Sequence, residues 1–166
     1  MTERCISAAN YIIEKVNEYN KKQTSLREQI FMSSKRLQKL LFFSDVLYMV
    51  ENQGRSMICD NFFAWQSGPA IPSAYDVFMQ YQDGDMNPHN IERYTLTDDT
   101  VKNVIDRVFA DTAKLDTKDM IEKSCIEESP WWIIYEKEKH QYELIPKTMI
   151  YDYYIKQGAP YGVQHI

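Results

Sequence analysis

The chain has 166 residues, of which 44% are hydrophobic and 26% are charged, a composition typical of one globular domain. Its net charge of −5 disfavours a nucleic-acid partner, because such binders neutralise phosphates with Lys and Arg. No apolar run approaches the roughly 20 residues that cross a bilayer, and we expect neither a signal peptide nor a membrane partner. The three cysteines form no CxxC pair, so we expect reduced, packed thiols in a cytoplasmic protein.

Helical spacing of apolar residues predicts a first amphipathic helix from Thr2 to about Asn20. Residues 21–32 are predicted to be a polar connection with at most one helical turn. The next helix, over residues 34–53, has apolar side chains around almost its whole circumference. Ser33 or Ser34 is its predicted N-cap. We therefore expect a central helix that other helices cover on several sides.

The central helix has one polar shoulder, in its first two turns. Its members are Lys35, Arg36, Gln38 and Lys39. Because three of them are basic, this shoulder is the one place where the sequence leaves DNA binding open.

A short strand is predicted at Phe62–Trp65, followed by a stiff turn at Gly68 and Pro69. His140 to Ile145 is also extended, and we expect it to pair with the first strand as a two-stranded patch. A helix from Pro72 to about Tyr81 follows the turn. Its predicted inner side carries Ile71, Tyr75, Phe78 and Met79.

The next segment resembles a calcium loop only superficially. Asp83, Asp85 and Asn87 copy the first three ligand positions. Pro88 and Tyr94, however, stand where the turn glycine and the closing Glu are required. We interpret the segment as a solvated loop.

The last third of the chain divides into four helices by its capping and proline signals. Their predicted extents are Thr97 to Thr112, Asp116 or Thr117 to about Glu127, Ser129 to about Lys139, and Pro146 to Gly158. The tail after Gly158 is expected to fray. The predicted fold class is therefore mainly α: one compact domain over residues 1–166, with about seven helices around the central helix.

No sequence motif of a hydrolase, nucleotide binder or zinc enzyme occurs. The histidines lie in predicted loops or beside the C-terminus, and nothing pairs one with a cysteine. We predict no catalytic residue, no cofactor and no metal, and hence no enzyme. Twelve Tyr, seven Phe and three Trp in an acidic chain instead favour protein contacts.

Four motifs occur in a fixed order: SAANYII (7–13), RLQKLLFF (36–43), AWQSGPAIP (64–72) with Tyr75, and ESPW (128–131). Together they resemble the Panacea domain, the family of SocA-like antitoxins that includes phage-associated GepA-type proteins. The resemblance covers about residues 5–157. Phe63 and Ile126 depart from it, since the family usually has a polar or acidic residue at the first position and often a histidine at the second.

The resemblance implies a helical domain that neutralises a cognate toxin protein by direct binding, encoded beside that toxin in bacteria or prophages. Alternatives are a proteolytic adaptor that delivers the toxin to a protease, and a phage-associated regulator that binds DNA through Lys35, Arg36 and Lys39. The toxin's identity and the oligomeric state stay open.

The motif residues, as structural or partner-binding positions, are Arg36, Lys39, Trp65, Gly68, Pro69, Tyr75, Pro130, Trp131 and Trp132. Because Trp131 and Trp132 are about 100° apart on a helix, we expect one to be buried and the other to be an exposed anchor.

Overall fold

The structure is a computed structural model that describes residues 1–79 and 86–158. Its elements, in chain order, are α1 (Glu3–Lys21), a 3₁₀ turn (Leu26–Glu28), α2 (Ser34–Glu51), β1 (Phe62–Trp65), β2 (Gly68–Ala70), α3 (Pro72–Phe78), α4 (Asp99–Thr112), α5 (Thr117–Ser124), α6 (Pro130–Trp132) continuing as a π-helical turn (Ile133–Lys137), β3 (Leu144–Ile145) and α7 (Lys147–Gln157).

Helix α2 lies at the centre of the fold, packed against α1, α3, α4, α5, α7 and β2. The hydroxyl of Ser33 accepts the N–H of Arg36 at 3.1 Å, which caps the start of the helix. At the other end, Gly54 has φ 82° and donates its N–H to the carbonyl of Met49 at 2.8 Å. The predicted central helix and the mainly α class are thus confirmed.

The small sheet has three antiparallel strands in the order β2, β1, β3, and the prediction of two was wrong. The expected pairing of β1 with β3 is confirmed, with Phe62 opposite Ile145. The missed strand is β2, which the sequence suggested was only a turn. Pro69 lies opposite Ala64 on this edge strand, where its missing N–H costs no ladder hydrogen bond.

Several predicted boundaries also need correction. Asp98 rather than Thr97 caps α4, because its carboxylate accepts the N–H groups of Thr100 and Val101. α5 ends at Ser124 and does not reach Glu127. Only the last two residues of the extended segment 140–145 form a strand.

Part of the helix predicted after Pro72 falls outside the described residues, because α3 ends at Phe78 and the description stops after Met79. Asp83 and Asp85 of the calcium-like spacing, and the tail 159–166, also lie outside. Met79 is 38% exposed, which corrects its placement on the inner side.

The three cysteines are free thiols with different environments. Cys5 is buried and Cys125 is half-buried, but Cys59 is exposed, so the expectation of packed thiols was wrong for Cys59. In the part of the chain that the structure describes, no helix has the length and apolar character needed to cross a membrane.

Candidate functional site

An open pocket of about 310 Å³ lies between the start of α2, the β1–β2 hairpin, α3 and the loop before β3. We call it the aromatic pocket, because Trp65, Tyr75 and Tyr142 line it. Lys35 and Lys39 are its charged lining residues. The fold thus brings motif residues from separate segments to one recess.

Three aromatic rings form the wall of this pocket. The Trp65 ring meets the edge of Tyr75 at 5.4 Å between centroids and that of Tyr142 at 6.3 Å. Such edge-to-face contacts stabilise an aromatic cluster beyond simple burial. The wall is thus an ordered apolar surface that borders solvent.

Tyr142 was missed by the sequence reasoning, although its side chain is 63% exposed at the pocket. Its φ of 65° is in the left-handed region, which is costly for a bulky residue. The Tyr142 N–H donates to the carbonyl of Ala64 at 2.8 Å, which ties the loop to β1. The strained backbone therefore holds an exposed aromatic ring against Trp65. No local sequence pattern predicts this conformation.

Lys39 lies at the floor of the pocket and is only 1% exposed. Its ammonium group donates to the carbonyl of Pro69 at 2.8 Å. Burial lowers the pKa of Lys39 from 10.5 to about 7, while the nearby Cys125 thiol opposes this shift and the charge of Lys35 adds to it. Among the described residues, no carboxylate comes within ion-pair distance of Lys39.

Gly68 is required beside this lysine for both conformation and space. Its φ is 94°, a region that residues with a Cβ rarely adopt. A Cβ built there would lie 2.6 Å from the Lys39 nitrogen and 2.5 Å from the Ser124 hydroxyl. The motif glycine therefore permits the close approach of β2 to α2 and α5.

Gln38 fixes the end of the hairpin, which the sequence reasoning had not recognised. Its side-chain amide donates to the carbonyl of Ile71 at 3.0 Å and accepts the Ile71 N–H at 2.8 Å. This two-point contact positions the start of α3, and hence Tyr75, relative to α2.

Arg36 does not line the aromatic pocket. It is 4% exposed and donates to the carbonyls of Leu115 at 2.8 Å and Thr112 at 3.3 Å. Burial lowers the pKa of its guanidinium. Its charge compensates carbonyls at the C-terminal end of α4, where a cation is favourable.

The polar shoulder of α2 is mostly inside the protein. Arg36, Gln38 and Lys39 are buried, and only Lys35 is exposed. The exposed basic surface expected for DNA binding is therefore absent at two of its three positions.

Trp131 supports the pocket from behind. It is 6% exposed, and its indole N–H donates to the carbonyl of Trp65 at 2.7 Å. Trp132 is half-buried, so the expectation of one buried and one exposed tryptophan is confirmed only for the buried Trp131. Pro130 is buried in the first turn, where Ser129 caps the backbone.

The model of the family "Antitoxin SocA-like, Panacea domain" matches residues 37–132, which is more than half of the chain. The chain belongs to this family. Among the candidate motif residues, only Arg36 lies outside the match. Comparison with curated proteins and with solved structures found no match.

The match begins inside α2, so the first Panacea-like motif at 7–13, α1 and α7 lie outside it. A single Panacea domain over the whole chain stays a prediction.

The structure separates the Panacea motif residues into two groups. Arg36, Pro130 and Trp131 hold elements together inside the fold. Trp65 and Tyr75 instead border the pocket, with Lys39 and Gly68 beneath them. The second group therefore lines a recess that is open to solvent.

Proposed function

We propose that this protein neutralises a cognate toxin by binding it through the aromatic pocket, without catalysis. Membership of the SocA-like family supports an antitoxin-type role in general. The direct contact, the surface and the stoichiometric mode of action belong to the proposal. The observation that carries it is Tyr142, an exposed ring held by a left-handed backbone against Trp65.

Strained residues that surrounding structure holds in place cluster at functional sites. Tyr and Trp are also the residues that most often dominate binding energy, because they offer large areas at a small loss of side-chain freedom. Tyr142 has both properties, and the Trp65 ring lies against it at the same recess. A toxin side chain seated there would cover their exposed faces.

A second groove, of about 570 Å³, competes as a binding surface. It lies between the 3₁₀ turn and the α4–α5 connection, and Phe31 beside it is 59% exposed. Arg27 and Lys114 line it together with Glu28 and Asp116, so its charges are mixed. It lacks the aromatic cluster, and Phe31 therefore provides a matched control.

The test is co-expression of this chain with the product of the adjacent gene. Tyr142→Ala should abolish neutralisation, because truncating an aromatic anchor costs about 2 kcal/mol or more of binding. Phe31→Ala, at an equally exposed aromatic, should neutralise fully. Phe31→Ala should keep the parental unfolding midpoint, and Tyr142→Ala should lower it only slightly through the lost ring contact with Trp65, since both rings are mostly in solvent.

Full neutralisation by Tyr142→Ala would remove the aromatic pocket from the proposal. A neighbouring product that is harmless alone, or that stays toxic with the unmodified chain, would contradict the antitoxin function itself.

The adaptor alternative uses the same first contact and differs in the toxin's fate. Under direct blocking, the toxin level stays constant while its effect disappears. Under delivery to a protease, the toxin should disappear in growing cells and persist in a host that lacks that protease. Immunoblots of the toxin in both hosts separate the two modes.

A further inference from the structure

A buried lysine without a carboxylate partner is unusual, because Lys is almost never fully buried unless it is paired. Lys39 is 1% exposed, and its one hydrogen bond among the described residues goes to the neutral carbonyl of Pro69. The ammonium group is thus solvated by one carbonyl and has no counter-charge at ion-pair distance in the described structure. The fold leaves this charge at the floor of a recess that opens to solvent.

The recess has the opposite charge from the protein as a whole. Among the described residues, its lining contains Lys35 and Lys39 but no Asp or Glu, whereas the whole chain carries a net charge of −5. An acid-free pocket in an acidic protein attracts anions and repels cations. Its aromatic wall adds a preference for an anion that carries apolar surface.

We propose that the aromatic pocket receives a carboxylate of the partner protein, an Asp or Glu side chain or a chain end, with an apolar side chain next to it. This inference rests on the proposed function, whose toxin would supply that carboxylate. The carboxylate would pair with the ammonium groups of Lys39 and Lys35. The apolar neighbour would pack against Trp65 and Tyr142.

The chemistry favours a peptide carboxylate over a free phosphate. Charge-assisted hydrogen bonds from ammonium to carboxylate are among the strongest polar contacts. A phosphate ion, however, offers no apolar surface to the three rings of the wall. A protein segment that carries a carboxylate next to an apolar side chain can contact both the lysines and the aromatic wall.

Binding of an anion should also take up a proton. The ionisable groups facing Lys39 are Lys35 on the same helix, Cys125 after α5, and the phenols of Tyr75 and Tyr142 in the lining. Burial raises the pKa of the Cys125 thiol, so Cys125 supplies no negative charge near neutral pH. A bound carboxylate raises the pKa of Lys39 above its free value of about 7, so the complex holds more protons. Affinity should therefore fall as the pH rises from 6 to 9.

The experiment is an NMR titration of the full chain with 3-phenylpropionate and with its neutral analogue 3-phenylpropanamide. The Trp65 indole N–H serves as the reporter, identified among the three tryptophans by its loss in Trp65→Phe. We expect the acid to bind at least about tenfold more tightly than the amide at pH 6. The ratio of the affinity for the acid to that for the amide should fall towards one at pH 9.

Two lysine variants sharpen this test. Lys39→Met should remove the preference for the acid, whereas Lys35→Gln, at the exposed rim, should reduce it only partly. If Lys39→Met does not fold, the pH dependence of the unmodified chain carries the same test.

Equal binding of acid and amide, or no shift of the indole with either, overturns the inference. A shift with inorganic phosphate but not with 3-phenylpropionate overturns it in favour of a phosphate site. These outcomes are independent of the neutralisation assay. If Tyr142→Ala loses neutralisation while acid and amide bind equally, the proposed function stands and the carboxylate inference fails. If Tyr142→Ala neutralises fully while the acid binds more tightly than the amide, only the carboxylate preference stands.

Discussion

Two buried charges on α2 differ in how the fold neutralises them. Asp45 is fully buried, yet Lys147 of α7 pairs with it at 3.2 Å, and the Met57 N–H and the Ser56 hydroxyl each donate to it at 2.8 Å. Lys39, six residues earlier and on another side of the helix, has a single hydrogen bond in the described part of the chain, to a backbone carbonyl. The charge of Asp45 is thus neutralised by groups of the same chain, which we call the closed site. Lys39 has no such counter-charge among the described residues and lies at the aromatic pocket, which we call the open site.

The difference separates a structural site from the pocket that we propose as the binding site. Burial raises the pKa of Asp45, but Lys147, Ser56 and the Met57 N–H all oppose that rise, so the network favours the carboxylate. For Lys39 no carboxylate opposes the effect of burial. The paired Asp45 holds α2 to α7, whereas Lys39 is the group that we propose to be paired by a partner carboxylate.

The largest expected effect comes from breaking the closed site. Asp45→Ala should lower the free energy of unfolding by about 3–5 kcal/mol, because the largely buried ammonium group of Lys147 and the buried N–H of Met57 lose their partner. Urea denaturation of variant and parent measures this loss. Glu51→Ala on the same helix breaks a more exposed ion pair with Arg107 and should cost at most about 1 kcal/mol. Equal losses in the two variants would contradict the structural role of Asp45.

The second largest effect is expected from a substitution at the floor of the aromatic pocket. Gly68→Ala should lose about 1–3 kcal/mol from overpacking against Lys39 and Ser124, in addition to the backbone strain at positive φ. Gly158→Ala is the control, because it has a similar φ of 81° but no atom within 4 Å of the added Cβ. It should show the strain alone. A loss in Gly68→Ala no larger than in Gly158→Ala would argue against the tight contact with Lys39.

The last effect concerns the charge of Lys39 itself and depends on pH. Its folded-state pKa of about 7 lies below the unfolded value of 10.5, so the unfolded chain binds more protons between these values. The destabilisation of the folded state by the buried charge is therefore fully present below pH 7 and decreases as the pH rises. Relative to the parent, Lys39→Met should be most stable near pH 6 and should lose that advantage towards pH 10, because the parent gains stability as the pH rises between these values. Thermal unfolding across this range measures the difference, and a constant difference would contradict the charge assignment.

The sequence predicts the scaffold of both sites better than the sites themselves. The helical spacing of α2 and its Ser33 cap are local signals, and so is the extended pattern of β1 and β3. Lys39 and Arg36 were assigned to an exposed shoulder because basic residues are rarely buried. Their actual partners are backbone carbonyls of Pro69 and Leu115, in distant segments that carry no side-chain signal.

Strand β2 and the exposed ring of Tyr142 were missed for a related reason. Pro69 indicates a turn in any local reading, and only its place at a sheet edge makes it acceptable in a strand. The left-handed backbone of Tyr142 depends on hydrogen bonds between its loop and β1. Both features arise from tertiary contacts, which are absent from sequence periodicity.

We propose that the toxin contacts the aromatic pocket and not the larger mixed-charge groove. Hydrogen–deuterium exchange on the purified complex with the product of the adjacent gene tests this most directly. We predict slower exchange on binding at residues 62–70 and 139–145, with no change at 26–31 and 113–117. Protection confined to 26–31 and 113–117 would contradict it and would place the toxin on the other groove.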